Sequence, residues 1–113
     1  MRVEGTDIYI IRGDSATIDV SCQDESGTPL PLQPGDTIYL TVKTHVSMED
    51  KVLQKTVTAF TDGVAHISLL PEDTKALDFV AYVYDVQLTQ ADGTVTTIIP
   101  PSRFVVEGEV TYE

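Results

Sequence analysis

The fold is decided by a seven-residue segment in the first half of the chain, TIYLTVK at positions 37–43. Its apolar residues Ile38, Leu40 and Val42 alternate without a break with residues suited to a wet surface. A period of two places alternate side chains on opposite faces of a β-strand. The segment therefore predicts a strand of an antiparallel sheet, with one face buried and one face solvated.

The same alternation recurs on both sides of this segment. It is regular in ATIDVSC at 16–22, AHISL at 65–69 and YVYDVQL at 82–88. Shorter or less regular strands are predicted at 7–11, 52–59, 94–99 and 104–110. Because Lys55 shares a face with apolar neighbours, we assign 52–59 to a sheet edge, where a charge on either face reaches water.

Turn residues separate the predicted strands at short intervals. Asp62-Gly63 and Asp92-Gly93 are Asp-Gly pairs between apolar runs, the pattern typical of two-residue hairpins. Pro100-Pro101 cannot donate ladder hydrogen bonds, so it is expected either to split the last stretch or to form a bulge. Pro71 followed by two acids predicts a short helical crossover near 71–77, with Leu77 beneath it.

Seven to eight short strands in 113 residues predict an all-β fold, an immunoglobulin-like β-sandwich of antiparallel strands with residues 1–113 as one domain. A small barrel is the competing architecture. Tyr82 follows the crossover, where a tyrosine corner would bond its hydroxyl to the connecting backbone. With one cysteine and no tryptophan, the Cys-Trp-Cys pattern of antibody domains is excluded.

The charge balance argues against two classes of partner. The chain has 7 Lys+Arg against 18 Asp+Glu, a formal net charge of -11, and its cations are scattered. Nucleic acids and anionic membrane surfaces are bound through clustered cations, so neither is expected as a partner. The lone Cys22 suits a reducing compartment, and no signal peptide or bilayer-spanning stretch is recognised. We expect a soluble protein folded inside a cell.

The residues that could act in catalysis or metal binding are better explained by structural roles. His45 and His66 lack metal-ligand spacing and are expected at the surface, and Cys22 is expected to be inert in the core. Asp24-Glu25 or Asp92 could contribute to a calcium site, but turns account for them better. We therefore assign no catalytic, cofactor-binding or metal-binding residues and expect no enzyme.

Two further patterns are interpreted as structural. Arg12-Gly13-Asp14-Ser15 contains the integrin-binding tripeptide, but a tight turn with Gly13 at positive φ is the better interpretation. The five tyrosines do not predict an aromatic platform for sugars. Of the tyrosines in alternating strands, Tyr82 and Tyr84 are expected in the core and Tyr39 outside; Tyr9 and Tyr112 complete the set.

The order of these motifs resembles a known family. They are RGDS at 12–15, GTPLPL at 27–32, LPEDTKAL at 70–77, YVYDVQL at 82–88, DGTVT at 92–96, FVV at 104–106 and EVT at 109–111. Across nearly the whole chain this order resembles the immunoglobulin-like domain of structural proteins from tailed phages and prophages of Gram-positive hosts. Within that family, it resembles the N-terminal domain of the phage baseplate upper protein.

The resemblance implies a non-enzymatic structural protein of a prophage virion, in the tail or baseplate. Its partners would be other virion proteins, including copies of itself in a ring, with Val83, Val105 and residues 98–101 as candidate contacts. It would occupy the bacterial cytoplasm before assembly and the virion afterwards. The baseplate upper protein continues past this domain, so a stand-alone adaptor, a decoration protein and one domain of a longer product all remain open. The alternative function is a module that binds host-surface carbohydrate or protein.

Overall fold

The computed structural model describes residues 1–23, 26–47, 49–78 and 80–110. Over these residues the chain is all-β apart from one short helix. The elements are β1 (Arg2–Glu4), β2 (Asp7–Ile11), β3 (Ala16–Val20), β4 (Cys22–Gln23), β5 (Pro29–Leu30), β6 (Thr37–Lys43), β7 (Leu53–Val57), β8 (Ala65–Leu69), α1 (Pro71–Lys75), β9 (Ala81–Thr89) and β10 (Val95–Glu107).

Six of the strands form one mixed sheet, in the order β1-β2-β10-β9-β6-β7. The remaining strands form two short antiparallel pairs, β3 with β8 and β4 with β5. Every pairing in the large sheet is antiparallel except β2 with β10, which is parallel. The expectation of a wholly antiparallel fold is therefore wrong at this pair. Strands joined by a tight turn must be antiparallel, but β2 and β10 come from opposite ends of the chain and are free of that constraint.

One hydrophobic core joins the large sheet to the β3–β8 pair. The sheet contributes Ile10, Leu40 and Phe104, and the β3–β8 pair contributes Val20 and Ile67. The alternation at 37–43 is confirmed, since Ile38, Leu40 and Val42 are fully buried and their neighbours half-buried. Burying side chains of this size contributes about 1.5–3 kcal/mol each, so these three residues of β6 stabilise the fold substantially.

Two predicted strands differ in extent from the structure. The segment at 16–22 divides at Ser21 into β3 and β4, which pair with different partners. The segments at 94–99 and 104–110 are instead one strand, β10, with register shifts on either side of Ile99. Pro100-Pro101 therefore forms a bulge rather than a break. The prolines are tolerated because β2 pairs with β10 only from Phe104 onward, so the strand is an edge at this point.

Other predictions of local structure are confirmed. Asp62 and Gly63 both have positive φ, and the two backbone hydrogen bonds between Thr61 and Val64 close the turn. The turn closes an isolated bridge and not a hairpin of β7 with β8, because those strands lie in different sheets. The predicted edge strand is β7, the last strand of the large sheet, and Lys55 forms an ion pair with Asp73 of α1 at 2.7 Å. The crossover is confirmed as α1, which is shorter than 71–77.

Strands β1 and β5 were not anticipated. β1 pairs with β2 across a turn at Gly5, whose φ is positive, and thereby becomes the other edge of the large sheet. Its three residues are too few for periodicity to identify, although the glycine after an alternating triplet is a hairpin signal.

Candidate functional site: a groove on the outer face of the large sheet

The two histidines lie on the surface, as expected. His66 faces Asp19 across the β3–β8 pair, with Nδ1 and Oδ1 2.6 Å apart. His45 lies in the loop after β6, where Nδ1 contacts the Ser47 hydroxyl at 2.8 Å. Within the described ranges, no three His, Cys, Asp or Glu side chains come together as a group that could hold a metal ion.

The RGDS segment is a turn whose arginine is engaged within the fold. Arg12 donates to both carboxylate oxygens of Glu109, at 3.1 Å from Nε and 2.7 Å from Nη2. The guanidinium holds the pKa of Glu109 below its ordinary value, chiefly through this hydrogen bonding. Gly13 has φ of 86° and donates its N–H to the Thr74 hydroxyl of α1. The segment therefore fastens the helix and the end of β10 to the turn after β2.

The surroundings of Cys22 and Asp92 indicate structural roles for both residues. Cys22 is buried, and desolvation, with a smaller effect of the Asp36 carboxylate, raises the pKa of its thiol. Asp92 accepts the backbone N–H of Thr94 in the β9–β10 turn, which lowers the pKa of its carboxyl. The other calcium candidate, Asp24-Glu25, lies outside the described residues.

The tyrosines divide between the two faces of the large sheet. Tyr82 and Tyr84 are buried, as predicted, and Tyr39 is half-buried on the outer face. Tyr9 also lies on the outer face, where the Arg2 guanidinium stacks 4.3 Å above its ring. Tyr112 lies outside the described residues. No aromatic platform is formed by the tyrosines that the structure describes.

A groove of about 340 Å³ opens on the outer face of β6 and β9. Its floor is formed by Thr41 and Asp85, which are cross-strand partners, and by Gln87 one outward position further along β9. We refer to this depression as the outer-sheet groove. Its volume lies within the range of small-ligand sites, about 300–1,000 Å³.

The Pro-Pro bulge shapes one wall of the outer-sheet groove. On β10, Ile99 pairs with Val86 and Ser102 pairs with Tyr84, so both prolines lie opposite the single residue Asp85. Pro101 consequently forms part of the wall. The loop after β6 forms the opposite wall with Val46 and Lys51, and the Val52 N–H closes that loop onto the Val42 carbonyl at 2.9 Å.

Three polar side chains of the groove make no hydrogen bond or ion pair with described residues. Lys43, Asp85 and Gln87 are half-buried and make no hydrogen bond or ion pair with any residue that the structure describes. Burial raises the pKa of the Asp85 carboxyl, and the nearby Lys43 ammonium opposes that shift. These groups keep their hydrogen-bonding capacity available to a ligand.

Hydrogen bonds within the protein hold a second set of groove side chains in fixed orientations. The Gln54 amide donates from Nε2 to the Thr41 hydroxyl at 3.0 Å, and its Oε1 accepts from Lys51 Nζ at 3.4 Å. Because the Thr41 oxygen acts as acceptor in this contact, its hydroxyl proton is free to point into the groove. The arrangement offers two ammonium groups, one carboxylate, two amides and one hydroxyl.

A second cavity, of about 440 Å³, lies at the other end of β9 and β10 beside the β4–β5 pair. It is lined by Cys22, Leu30, Ile98 and Ile99, among others. Ile98 and Ile99 also pack against the core, so only part of their surface is available to a partner. Of the proposed contact residues, Pro100 and Pro101 are exposed.

Sequence reasoning did not identify the outer-sheet groove. Lys43, Lys51 and Asp85 come from three separate segments, and each is unremarkable as an isolated charge on a wet face. The one local signal was the Pro-Pro pair, which predicted a bulge but not the depression that the bulge opens.

No helix in the described parts of the chain has both the length and the apolar character needed to cross a bilayer. No model of a known protein family matches the sequence, and no curated protein matches it.

Proposed function

We propose that this chain is a non-enzymatic structural subunit of a prophage-encoded phage tail or baseplate. The proposal begins from the order of motifs described above. In the structure these motifs make contacts that shape the fold: the RGDS turn holds α1 and the end of β10, and Asp92 closes the β9–β10 turn. Motifs of this kind suit a building block better than a catalyst.

An immunoglobulin-like sandwich is part of the same proposal. It is supported by the single core shared between the large sheet and the β3–β8 pair. It is also supported by a tyrosine corner, in which the Tyr82 hydroxyl accepts the backbone N–H of Asp78 at 2.9 Å.

The observation that carries the proposal is a row of apolar side chains on the core face of the large sheet. The row continues onto the edge strand β1, where its last side chain is exposed to solvent. Cross-strand pairing places Tyr82, Phe104, Ile8 and Val3 in one row on the core face of the large sheet. The first three are at most 5% exposed, whereas Val3 on the edge strand β1 is 53% exposed. An apolar side chain on the core face of an uncovered edge is suited to contact with a neighbouring subunit.

Assembly would use both features of this edge. The outer side of β1 has no paired strand within the described part of the sheet, so its backbone is available to a strand from a neighbour. That neighbour would be another virion protein, or a copy of this chain in a ring if the rotation between copies closes. The chain would then move from the host cytoplasm into the virion as assembly proceeds.

The first test is to read the genes that flank the coding sequence. Genes for a tape-measure protein, a tail fibre or a cell-wall lysin would support the tail assignment. Flanking genes for sortases, surface anchors or glycan use would contradict it.

A second test examines the edge directly in phage particles. We expect Val3→Glu to reduce incorporation of the chain, measured by mass spectrometry of purified particles. Val95→Glu is the matched control, because Val95 is 58% exposed at the far end of β10 and should be tolerated. Equal incorporation of the two variants would contradict assembly through β1.

The second candidate is a module that binds carbohydrate or protein on a host surface. It is favoured by the outer-sheet groove, whose unpaired polar groups suit a ligand. A glycan array, with and without calcium, distinguishes the candidates, because specific glycan binding would favour the module.

A further inference from the structure

We infer that the outer-sheet groove binds a polypeptide segment that presents a carboxylate beside an apolar side chain. This inference deepens the proposed function, on which the choice of a protein partner rests. Its physical basis is the groove lining, which combines charge and apolar surface with three polar side chains, Lys43, Asp85 and Gln87, that make no hydrogen bond or ion pair with described residues.

Charge complementarity identifies the first element of the ligand. Lys43 and Lys51 place two of the chain's seven cationic side chains at one groove, beside the single carboxylate of Asp85. Glu49 and Asp50 directly precede Lys51 in sequence and are exposed, but they do not line the groove. The groove is thus locally cationic on a chain of net charge -11, a field that repels a long polyanion. A ligand with an isolated carboxylate is attracted by the two lysines of the groove and is repelled less by the negative chain than a long polyanion would be.

The uncharged polar groups favour a peptide backbone beside that carboxylate. The amides of Gln54 and Gln87 each offer a donor and an acceptor, which match the C=O and N–H of a peptide group. Asp85 adds an acceptor for a further N–H, and Thr41 adds a donor. The bonds to Gln87 and Asp85 would satisfy groups that make no hydrogen bond with the described residues.

The remaining lining explains the apolar element. Val46, Val83 and Pro101 provide short aliphatic surfaces around the polar floor. Tyr84, the aromatic residue in the lining, is only 4% exposed and donates its hydroxyl to the Thr6 carbonyl. No other described aromatic residue lines the groove, so the lining favours a peptide over a saccharide.

The test is a titration of the ¹⁵N-labelled chain, followed by amide chemical shifts. The probe is acetyl-Gly-Val-Glu-Gly-amide, and its neutral match is acetyl-Gly-Val-Gln-Gly-amide. We expect localised shifts in residues 41–43 and 83–87 with the glutamate peptide. We expect affinity about tenfold weaker for the glutamine peptide, the size of effect of one charge-assisted hydrogen bond.

Variants assign the contact to the two lysines. Lys43→Gln and Lys51→Gln should each weaken binding of the glutamate peptide about fivefold to tenfold. Arg2→Gln is the matched control, because it removes one surface cation from β1 and should leave binding unchanged. Both lysines lie outside the core, and the amide spectrum of each variant reports directly whether the fold is retained.

Three results would overturn the inference: absence of localised shifts, equal affinity for the two peptides, or unchanged affinity in both lysine variants. Glucuronic acid added as a separate probe gives a fourth. If it binds in the groove and the peptide does not, the site belongs to an acidic saccharide. These outcomes are independent of the tail proposal, since the gene neighbourhood and the Val3→Glu experiment can fail while the peptide still binds.

Discussion

The hydroxyl of Tyr82 accepts the backbone N–H of Asp78 at 2.9 Å and thereby ties the start of β9 to the segment that follows α1. The Tyr82 ring is buried, whereas Asp78 is exposed. The hydrogen bond thus connects the core of the large sheet to a surface connection. This contact fixes where the chain re-enters the sheet after its one described helix.

We expect Tyr82→Phe to lower the free energy of unfolding by about 1 kcal/mol, because it removes one hydrogen bond without removing the ring. Urea unfolding measures this difference. Tyr39→Phe is the matched control, since Tyr39 is half-buried on the outer face and makes no hydrogen bond with described residues. Equal effects of the two substitutions would contradict a stabilising tyrosine corner.

The corner also illustrates how far the sequence could predict the fold. Alternation identified the strands that bury one face, because a period of two leaves no other regular structure for residues 37–43 or 65–69. The position of Tyr82 after a Pro-initiated helix was sufficient to predict its hydrogen bond. These features are local, so they are encoded in adjacent residues.

Non-local features could not be predicted in the same way. The parallel pairing of β2 with β10 joins residues almost a hundred positions apart, and no turn between them specifies a direction. The outer-sheet groove depends on the non-local pairing of β6 with β9 and on the bulge at Pro100-Pro101 within β10. Its lysines and Asp85 therefore carry no shared signal in the sequence.

The Tyr84 hydroxyl makes the free energy of unfolding fall as the pH becomes alkaline. This hydroxyl donates to the Thr6 carbonyl, and burial, with a smaller effect of the Asp7 carboxylate, raises its pKa from 10.0 to about 12. A raised pKa in the folded state means that the stabilisation is fully present below pH 10 and is lost as the pH rises towards 12. We expect the free energy of unfolding to fall more steeply over this range in the wild type than in Tyr84→Phe.

The measurement is urea unfolding at a series of pH values, and Tyr39→Phe is the control, which should keep the wild-type slope. Parallel curves for the wild type and Tyr84→Phe would show that this hydroxyl does not cause the alkaline loss of stability.

The Glu109 carboxylate makes the free energy of unfolding fall as the pH becomes acidic. Its pKa is lowered by Arg12 from an ordinary value of 4.5, so its stabilisation is present above pH 4.5 and is lost as the pH falls through the lowered pKa. Glu109→Gln resembles the protonated side chain. We expect this variant to be less stable than the wild type at neutral pH and equally stable in strong acid.

Glu4→Gln is the control for Glu109→Gln, because the Arg2–Glu4 pair is exposed and its atoms are 3.6 Å apart. Exposed pairs of this kind contribute little, so no comparable pH-dependent difference is expected. A Glu109→Gln deficit that persisted unchanged in strong acid would contradict the assigned role of the carboxylate charge.

The turn at Gly63 is closely packed against Pro31. This glycine has φ of 75°, its carbonyl accepts the Leu32 N–H at 3.1 Å, and an added Cβ would lie 2.7 Å from Pro31 Cβ and 2.9 Å from Pro31 Cα. Gly93 has a similar φ of 90°, but its added Cβ would meet no atom within 4 Å. Alanine at either site incurs the strain of positive φ, about 1–2 kcal/mol. Only Gly63→Ala also displaces backbone, which costs typically about 1–3 kcal/mol more. Urea unfolding should therefore rank Gly63→Ala below Gly93→Ala in stability, and equal losses would show that the Pro31 segment yields without cost.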